Sequence, residues 1–362
     1  MRLAIDASRT TVARTTGTEA YARDLIRALI ASNPGHDIAL YFRDTPPPDL
    51  FPASKRLSLR VIPFRRAWTH LRFAAAIAHD RPDLTFVPAH TLPFAFPGRA
   101  AVTVHDLGYK WFPGAHPARS RLYLDLTTRY SAQRASVVFA DSRATADDLM
   151  RFYGVPSAKI RVVYPGVSLP VRAVPADEIA AGRAKYRLPE RYCLFLGTLQ
   201  PRKNIARLVA AYAQYRAAAS DPAALVLAGG RGWLFDPAWT TGDGIIATGY
   251  VDDADKAALY AGALAFVFPS LYEGFGFPVL EAMRCGTPVV CSHTSSLPEL
   301  VGAAALLVDP LNVDALAAGI ARLTDLTADE RADIVKRGHT QAAQFTWDAA
   351  ARAVWEGLED GL

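Results

Sequence analysis

The chain has 362 residues and a mass of 39.2 kDa, which is long for one core and suits two domains. Hydrophobic residues make up 51% and charged residues 21%, a composition that excludes an intrinsically disordered protein. No apolar run approaches the roughly 20 residues that span a bilayer, and Asp6 interrupts the N-terminus where a signal peptide needs an apolar segment. Cys193, Cys285 and Cys291 have no metal-binding or disulfide spacing, so we expect a cytoplasmic location.

The net charge of +5 is unevenly distributed along the chain. Residues 1–168 carry 23 Lys and Arg against 13 Asp and Glu, whereas the remaining residues carry 17 against 22. A basic front half suggests an anionic partner, such as a membrane surface, a lipid phosphate or a nucleic acid. An arginine-rich drift in composition explains these numbers equally well.

Short apolar runs alternate with helix-length amphipathic stretches throughout the chain. They predict seven strands in the front half, at residues 2–6, 37–42, 58–62, 84–87, 100–104, 136–140 and 160–163. Six more are predicted in the back half, at residues 192–196, 223–228, 244–247, 264–268, 287–291 and 304–308. The runs are continuously apolar, as is typical of parallel strands covered by helices on both faces. The pattern therefore predicts an α/β fold of two Rossmann-like, doubly wound parallel-sheet domains that face a central cleft.

Each half begins with a strand, a polar glycine-containing loop and a helix. The predicted boundaries are residues 1–168 for an N-terminal domain, 169–190 for a linker and 191–344 for a C-terminal domain. Residues 345–362 are predicted to form a helix that crosses back to the N-terminal domain, with its tryptophans in the core. Ligands of open α/β sheets bind at the carboxyl ends of the strands, so a site is expected in the loops that follow them.

The loop SLYEGFGF follows the predicted strand at 264–268 and leads to Pro278. Proline is favoured at the first helical position, which predicts a helix from Pro278 that Gly286 ends. The N-terminus of that helix favours an anion such as a phosphate.

Two carboxylates flank the glycines of this loop, Glu273 on the strand side and Glu281 in the first turn of the predicted helix. Gly274 and Gly276 let a ligand approach the backbone closely. A carboxylate at the position of Glu281 can bind the hydroxyls of a ribose. Taken singly, such a glutamate often only compensates the helix dipole, and the aromatic residues of the loop suit a hydrophobic core. The combination indicates a nucleotide-sugar site.

A second loop, GTLQPRKN at residues 197–204, follows the predicted strand at 192–196. Arg202 and Lys203 stand where the next helix is expected to begin. Cations are unfavourable at a helix N-terminus, so they require a compensating anion, for which a pyrophosphate is suitable. The alternative is a solvated basic helix start.

Three further loops carry weaker signals. Gly17 and Thr18 precede a predicted helix and could contact a phosphate or an acceptor, although Gly-Thr is also an ordinary helix start. His105 and Asp106 follow the strand at 100–104, where a polar pair can bind a sugar, and Ser142 follows the next strand. A lone histidine is more often structural.

The segment GYVDDADKAALY could present the backbone of Tyr250 and Val251 to a nucleobase. Its Asp253 and Asp255 have a spacing that suits a metal site, but acidic residues that open a helix explain the pair better.

Together these motifs resemble a known family. EGFGFPVLE, with Glu273 and Glu281 separated by seven residues, resembles the E-x7-E motif of the retaining family-four glycosyltransferases, which have the GT-B fold. GTLQPRKN resembles their diphosphate-binding segment, and VHDL resembles the strand end whose histidine contacts the transferred sugar. With SSLPEL at residues 295–300, the chain is similar to bacterial members that transfer mannose from GDP-mannose during polysaccharide or O-antigen assembly. It departs from the family in its single Gly17 and in VYPGVS, which lacks the residues of the NGVD segment.

The resemblance implies that a hexose, best mannose, moves from a GDP- or UDP-type sugar to a glycan or lipid-linked acceptor bound by residues 1–168. It implies retained configuration, no metal and no cofactor. Catalytic roles fall to Glu273, His105, Arg202 and Lys203, and contacts to the sugar or acceptor fall to Asp106 and Ser142. The implied donor-binding residues are Gly17, Thr18, Gly197, Thr198, Tyr250, Val251, Tyr272, Gly274, Phe275, Gly276, Phe277, Pro278, Val279 and Glu281.

Other functions stay open at this point: a nucleotide-sugar epimerase or a phosphorylase on the same fold, or a non-catalytic module that binds sugar nucleotides. Nucleic acid is not an expected partner. FRRAWTHLRFA, residues 64–74, is a predicted helix that could rest on an anionic membrane, which would make the protein peripheral on the inner membrane face. It could equally be a core-facing helix with basic exposed residues.

Overall fold

The structure, a computed structural model, describes residues 1–12, 17–115, 117–169, 171 and 173–361. Contacts between residues divide the chain into two compact units. Unit 1 comprises Met1–Lys110, Pro117–Ser168 and Phe345–Leu362, and unit 2 comprises Trp111–His116 and Leu169–Gln344. Among the described residues, no helix is long and apolar enough to cross a membrane.

The described part of unit 1 is built on a parallel sheet of seven strands in the order β3-β2-β1-β4-β5-β6-β7. The strands are β1 (Arg2–Asp6), β2 (Asp37–Phe42), β3 (Leu57–Val61), β4 (Leu84–Val87), β5 (Arg99–Val104), β6 (Val137–Ala140) and β7 (Ile160–Val162). The helices up to this point are α1 (Gly17–Ala31), α2 (Ala74–Asp80), α3 (Gly108–Trp111), α4 (Ala118–Arg134) and α5 (Arg143–Tyr153).

The described part of unit 2 contains a parallel sheet of six strands in the order β10-β9-β8-β11-β12-β13. The strands are β8 (Tyr192–Leu196), β9 (Ala224–Ala228), β10 (Ile245–Gly249), β11 (Ala265–Phe268), β12 (Val289–Ser292) and β13 (Leu306–Val308). The helices are α6 (Ala176–Tyr186), α7 (Ile205–Ala218), α8 (Lys256–Ala261), α9 (Phe277–Arg284), α10 (Leu297–Val301), α11 (Val313–Thr324) and α12 (Ala328–Ala342).

All thirteen predicted strands are confirmed, each within two residues of its predicted ends. Their pairings are parallel, and the central strands β4, β6, β8 and β11 are buried along their whole length. One of the shifts of two residues is at β12, which begins after Pro288 rather than at Thr287, because proline has no N–H to donate to the sheet. The predicted α/β fold with two Rossmann-like sheets is therefore correct.

Each sheet has a point at which the strand order reverses. In unit 1 the neighbours β1 and β4 lie at this point, and in unit 2 the neighbours β8 and β11. The loops that leave the carboxyl ends of two such strands diverge to opposite sides and leave a crevice, which is where open α/β sheets bind ligands. In unit 2 these are the loops that hold GTLQPRKN and YEGFGFP.

The segment predicted as a linker and the segment predicted as the last helix each contain a helix. Residues 169–190, predicted as a linker, include α6 and group with unit 2; positions 170 and 172 lie outside the described residues. The last helix, α13 (Trp347–Asp360), groups with unit 1 and packs against α1. Trp355 is buried there and its Nε1 donates to the Leu29 carbonyl at 3.3 Å.

The predicted helix at residues 64–74 is wrong in its first half. A π-helical turn begins at Thr69 and runs into α2, whereas residues 64–68 are not helical. Ala67 has φ +52°, outside the helical region. Trp68 and Phe73 are buried and stack with ring centroids 5.1 Å apart, so both belong to the core and not to a surface.

Candidate active site

The loop after β8 places two cations beside the point where the strand order of unit 2 reverses. Pro201–Lys203 form a single 3-10 turn, and α7 begins only at Ile205. Between them Asn204 has a left-handed backbone, with φ +62°. Arg202 and Lys203 therefore precede the helix rather than open it, which corrects the sequence-based expectation.

Asn204 also ties this loop to its neighbours. Its buried side-chain amide donates to the carbonyls of Pro269 at 3.1 Å and Pro310 at 2.7 Å. The main chain adds a second link, from the Leu271 N–H to the Arg202 carbonyl at 2.9 Å. The sequence analysis did not assign a role to Asn204, although asparagine is enriched in left-handed backbone conformations.

The loop after β11 is held from the other side by SSLPEL. The N–H of Glu273 donates to Ser295 Oγ at 2.9 Å, and Ser296 Oγ donates to the Glu273 carbonyl at 3.0 Å and to that of Phe275. Ser295 has φ +53°, a conformation that a non-glycine residue keeps only where its surroundings require it. The two serines thus fix the backbone that carries Glu273.

Glu273 binds both cations of the first loop. Its Oε1 lies 2.6 Å from Lys203 Nζ and accepts from Ser270 Oγ, and its Oε2 lies 3.2 Å from an Arg202 nitrogen. Glu273 and Lys203 are buried, so the alternative of a solvated basic helix start is wrong. The anion that compensates the two cations in this structure is a carboxylate of the chain itself.

This environment keeps the Glu273 carboxyl ionised. Burial raises its pKa, but the charges of Lys203 and Arg202 and the hydrogen bonds it accepts outweigh burial and hold the pKa at about 2. A group with such a pKa cannot act as a general acid near neutral pH. It can stabilise positive charge or accept hydrogen bonds from hydroxyls.

Helix α9 begins at Phe277, one residue before the predicted start. Gly276 precedes it with φ +133°, and a Cβ there would lie 2.8 Å from Leu297 Cδ2. Glycine thus lets the chain enter the helix immediately, with Pro278 in its first turn. Because the helix starts earlier, Glu281 lies just beyond the first turn, which corrects its predicted position.

Glu281 has two partners that the sequence analysis did not identify. The Tyr260 hydroxyl donates to its Oε2 at 2.9 Å, and the Lys256 ammonium is a neighbouring positive charge. Burial raises the pKa of Glu281, and Lys256 opposes that rise. Lys256 also binds Asp253 at 2.6 Å, so this carboxylate, cation and phenol form one cluster.

The acidic residues beside this cluster open a helix, as the preferred interpretation predicted. Asp253–Asp255 form a 3-10 turn that leads into α8, and Asp255 binds Lys185 at 2.5 Å and Tyr186 at 2.7 Å. Within the ranges that the structure describes, no group of three or more His, Cys, Asp or Glu side chains is arranged to hold a metal ion.

The other predicted donor-site residues lie in the same loops of unit 2. Gly197 and the exposed Thr198 directly follow β8, and Gly274 lies in the β11 loop. Tyr272, Phe275 and Val279 are buried, and the Phe275 and Phe277 rings pack edge to face at 5.0 Å. Tyr250 is 66% exposed, whereas the Val251 side chain is buried, so only the backbone of Val251 could meet a ligand.

In unit 1, polar side chains follow three neighbouring strands. His90 follows β4, His105 follows β5 and Asp141 follows β6. His105 Nδ1 lies 2.7 Å from Asp141 Oδ2, and the His105 N–H donates to His90 Nε2 at 3.1 Å. Asp106 accepts from the Gly108 N–H at 2.8 Å. His105 is thus confirmed at a strand end, and Asp141 was missed.

Ser142 follows β6, as predicted, but its hydroxyl serves the helix that starts there. Its hydroxyl is fully buried as the N-cap of α5, where it accepts from the Thr145 N–H at 3.1 Å. Successive side chains at a strand end point in opposite directions, so the neighbour Asp141 faces His105 and Ser142 does not. Capping explains the serine without a ligand.

Gly17 and Thr18 are the first residues of α1, so the predicted helix is present. The preceding threonines of this loop, Thr15 and Thr16, lie outside the described residues. The buried Glu19 in the same turn binds Arg9 at 3.4 Å.

Two Rossmann-like parallel sheets, one carrying cationic and acidic loops where its strand order reverses, define a glycosyltransferase of the GT-B class. Family models agree: residues 180–341 match "Glycosyl transferases group 1" and residues 15–170 match "Glycosyltransferase Family 4". The chain is 37% identical over 294 residues to the O-antigen chain mannosyltransferase B of Escherichia coli. The aligned region covers 79% of this chain and 74% of that protein. It is 32% identical over 315 residues to the serotype-specific mannosyltransferase WbdA of the same species, covering 78% of this chain and 37% of the longer WbdA.

Solved structures show the same fold. The sucrose-phosphate synthase of Thermosynechococcus elongatus is 26% identical with a TM-score of 0.76, covering 99% of this chain and 98% of that one. HepE of Anabaena, in complex with UDP and glucose, is 17% identical with a TM-score of 0.74. The match covers 99% of this chain and 100% of HepE. The chain therefore belongs to the family-four glycosyltransferases, and it is a glycosyltransferase.

Proposed function

We propose that this glycosyltransferase transfers mannose, with retained configuration, from GDP-mannose to a glycan or lipid-linked acceptor in O-antigen-type polysaccharide assembly. The mannosyltransferases of Escherichia coli among its relatives support the sugar and the pathway class. The observation that carries the proposal is the cluster of the buried Lys203 and Glu273 with the half-buried Arg202, where the strand order of unit 2 reverses.

In this proposal the cluster binds the diphosphate of the donor. Two cations and one carboxylate leave a net positive charge, so a diphosphate can join the cluster without expelling Glu273. Guanidinium and ammonium groups then stabilise the charge that grows on the leaving diphosphate, and the N-terminus of α9 adds to that field. No metal ion is needed for this step in the proposal.

Glu273 and Glu281 have separate proposed roles on one donor. Glu273, ionised because its pKa is about 2, accepts hydrogen bonds from sugar hydroxyls and stabilises positive charge at the anomeric carbon. Glu281, with Tyr260 and Lys256 beside it, accepts from the ribose hydroxyls. The pair is therefore not proposed to act as the nucleophile and acid of a glycoside hydrolase.

Membership of a glycosyltransferase family favours a transferase over the epimerase, phosphorylase and non-catalytic alternatives. The cost of the buried cluster supports this preference as well. Removing charged side chains from water is expensive, and replacing a buried ion pair by apolar residues is often neutral or stabilising. A chain that no longer handled a charged ligand would have little reason to keep two buried charges, Lys203 and Glu273.

A donor screen tests the proposal. Thermal unfolding should shift upward with GDP-mannose more than with UDP- or ADP-sugars, since a ligand at 100 times its Kd stabilises a protein by about 2.7 kcal/mol. The Lys203→Met variant should lose the shift, whereas Lys336→Met, which removes an exposed lysine on α12, should keep it. If no nucleotide-sugar shifts the wild type, the proposal fails.

We also propose that the enzyme is cytoplasmic and that unit 1 binds the acceptor. With Trp68 and Phe73 in the core, a peripheral contact with an anionic membrane depends on Phe64 and Leu71, which are 44% and 57% exposed, and on the arginines beside them. We expect binding to vesicles of anionic lipid that weakens as salt increases.

Vesicle sedimentation checks this expectation. The double variant Phe64→Ser/Leu71→Ser should lose binding, and Leu311→Ser, a 60% exposed leucine of unit 2, serves as the matched control. Equal sedimentation of both variants and the wild type would remove this surface from the proposal.

A further inference from the structure

His105 is held at three of its four polar groups by its own chain. Its N–H donates to His90 Nε2, its carbonyl accepts from Thr145 Oγ1 at 3.2 Å, and its Nδ1 contacts Asp141 Oδ2. The Tyr21 ring packs against the imidazole edge to face at 4.6 Å. Backbone and ring orientation are thus fixed before any ligand binds.

The fourth polar group, Nε2, has no hydrogen-bond partner among the described residues, although it is buried. The same is true of Asp141 Oδ1. Buried polar atoms are nearly always satisfied, because leaving one unpaired is costly, so an unpaired atom requires an explanation. Both atoms belong to one ion pair at the carboxyl edge of the sheet, where open α/β sheets generally bind ligands. Their position indicates a partner that arrives with the substrate.

We infer that Asp141 is a positioning residue of the transfer reaction: it fixes the proton of His105 on Nδ1 and so leaves Nε2 as the ring nitrogen that meets a sugar hydroxyl. The inference rests on the proposed function for its substrate, a polyhydroxylated sugar. It adds a residue to which the sequence motifs assigned no role. Asp141 lies 36 positions beyond His105 and reaches it only because β5 and β6 are neighbours.

The charges around the ring support this assignment. Burial lowers the pKa of His105, but Asp141, then Asp106 and then the backbone of Pro88 raise it, and the net result is a pKa above the ordinary value. His90 is the other titratable group that faces the ring, Tyr21 is buried beside it, and Arg9 acts on His90. A carboxylate on Nδ1 selects the tautomer of its histidine partner and favours the charged form.

The test is the titration of His105 by NMR on full-length protein labelled at histidine nitrogens. In the wild type we expect a His105 pKa above about 6.5, the ordinary value, and a proton on Nδ1 at every pH. In Asp141→Asn the pKa should fall, and kcat for transfer should drop about tenfold with the pH profile displaced in the same direction. Asp125→Asn, which removes a carboxylate bound to Lys110 elsewhere in unit 1, should change neither.

The outcomes separate this inference from the proposed function. A wild-type His105 that titrates below about 6.5 overturns the inference without any variant, so misfolding of Asp141→Asn cannot hide the answer. Unchanged nitrogen shifts in Asp141→Asn, or a normal kcat despite changed shifts, also overturn it. If the wild type transfers no sugar from any donor, the proposed function fails, while the titration still decides how Asp141 acts on His105.

Discussion

At the carboxyl edge of the sheet in unit 2, both carboxylate oxygens of Glu273 have partners in the chain, whereas in unit 1 His105 and Asp141 each keep one polar atom without a partner among the described residues. The two clusters occupy the same kind of place, since each joins loops that follow neighbouring parallel strands. They differ in what a ligand must do. In the proposed function, an anion in unit 2 has to share cations that already have a counter-ion, and a sugar hydroxyl in unit 1 completes hydrogen bonds that are still open.

This difference suggests how the work is divided. A saturated ion cluster can hold its geometry without a ligand, which suits the proposed release of a diphosphate after each turnover. An open dyad gains most when a neutral, hydroxylated ligand arrives. Each prediction below disturbs one side of this comparison.

The largest effect is expected from Glu273→Gln. The substitution leaves the buried Lys203, and Arg202 beside it, without their counter-ion, which should cost about 3–5 kcal/mol of unfolding free energy. Transfer should fall by at least about a hundredfold, because a neutral amide stabilises positive charge poorly. Thermal unfolding and initial rates measure the two effects.

The same variant should respond to ligand more strongly than the wild type. A nucleoside diphosphate supplies the missing anion and should recover part of the lost thermal stability. Glu190→Gln, an exposed glutamate of unit 2, is the matched control and should behave as the wild type. Wild-type stability together with near-normal transfer in Glu273→Gln would contradict the cluster's proposed importance.

The loss of stability in acid should depend on the Glu273 carboxylate. Its folded pKa of about 2 lies below the ordinary 4.5, so its stabilising contribution, about 3 kcal/mol, is present above pH 4.5 and is lost as the pH falls through 2. The difference in unfolding free energy between the wild type and Glu273→Gln should therefore narrow between pH 5 and pH 2. Urea titrations at several pH values measure it, and a difference that stays constant would show that Glu273 is not ionised in the cluster.

A smaller effect is expected from Glu281→Gln. Burial raises the pKa of this carboxyl, and a neutral amide can still accept from Tyr260, so the fold should lose no stability. GDP affinity should fall about tenfold, or 1.4 kcal/mol, with little change in kcat at saturating donor. Calorimetry and steady-state rates separate the two, and unchanged affinity with a collapsed kcat would reverse the roles proposed for the two glutamates.

The sequence predicted the strands well because buried parallel strands are continuous apolar runs, a signal that depends on local composition. It also predicted that His105 lies at a strand end. It misplaced the start of α9 by one residue, since Gly276 allows helix entry earlier than the Pro278 signal indicates. For Trp68 and Phe73 the sequence was misleading. Their residue types suit a membrane surface, and only the structure shows that they stack in the core.

The contacts within the site could not be read from the sequence. Lys203 and Glu273 are 70 residues apart and meet only because β8 and β11 are neighbours in the sheet. Motif spacing assigned them to different parts of a donor, whereas in the structure they form one ion pair. The sequence analysis named Ser142 and missed its neighbour Asp141 for a similar reason, because successive side chains at a strand end point in opposite directions.

The central claim is that the Lys203, Arg202 and Glu273 cluster binds the diphosphate of the donor. The most direct measurement is a crystal structure of the wild-type enzyme with GDP. The account predicts phosphate oxygens within about 3 Å of Lys203 Nζ and of the Arg202 guanidinium, with the ribose hydroxyls on Glu281. A diphosphate bound elsewhere, with the Lys203–Glu273 pair closed and untouched at 2.6 Å, would contradict it.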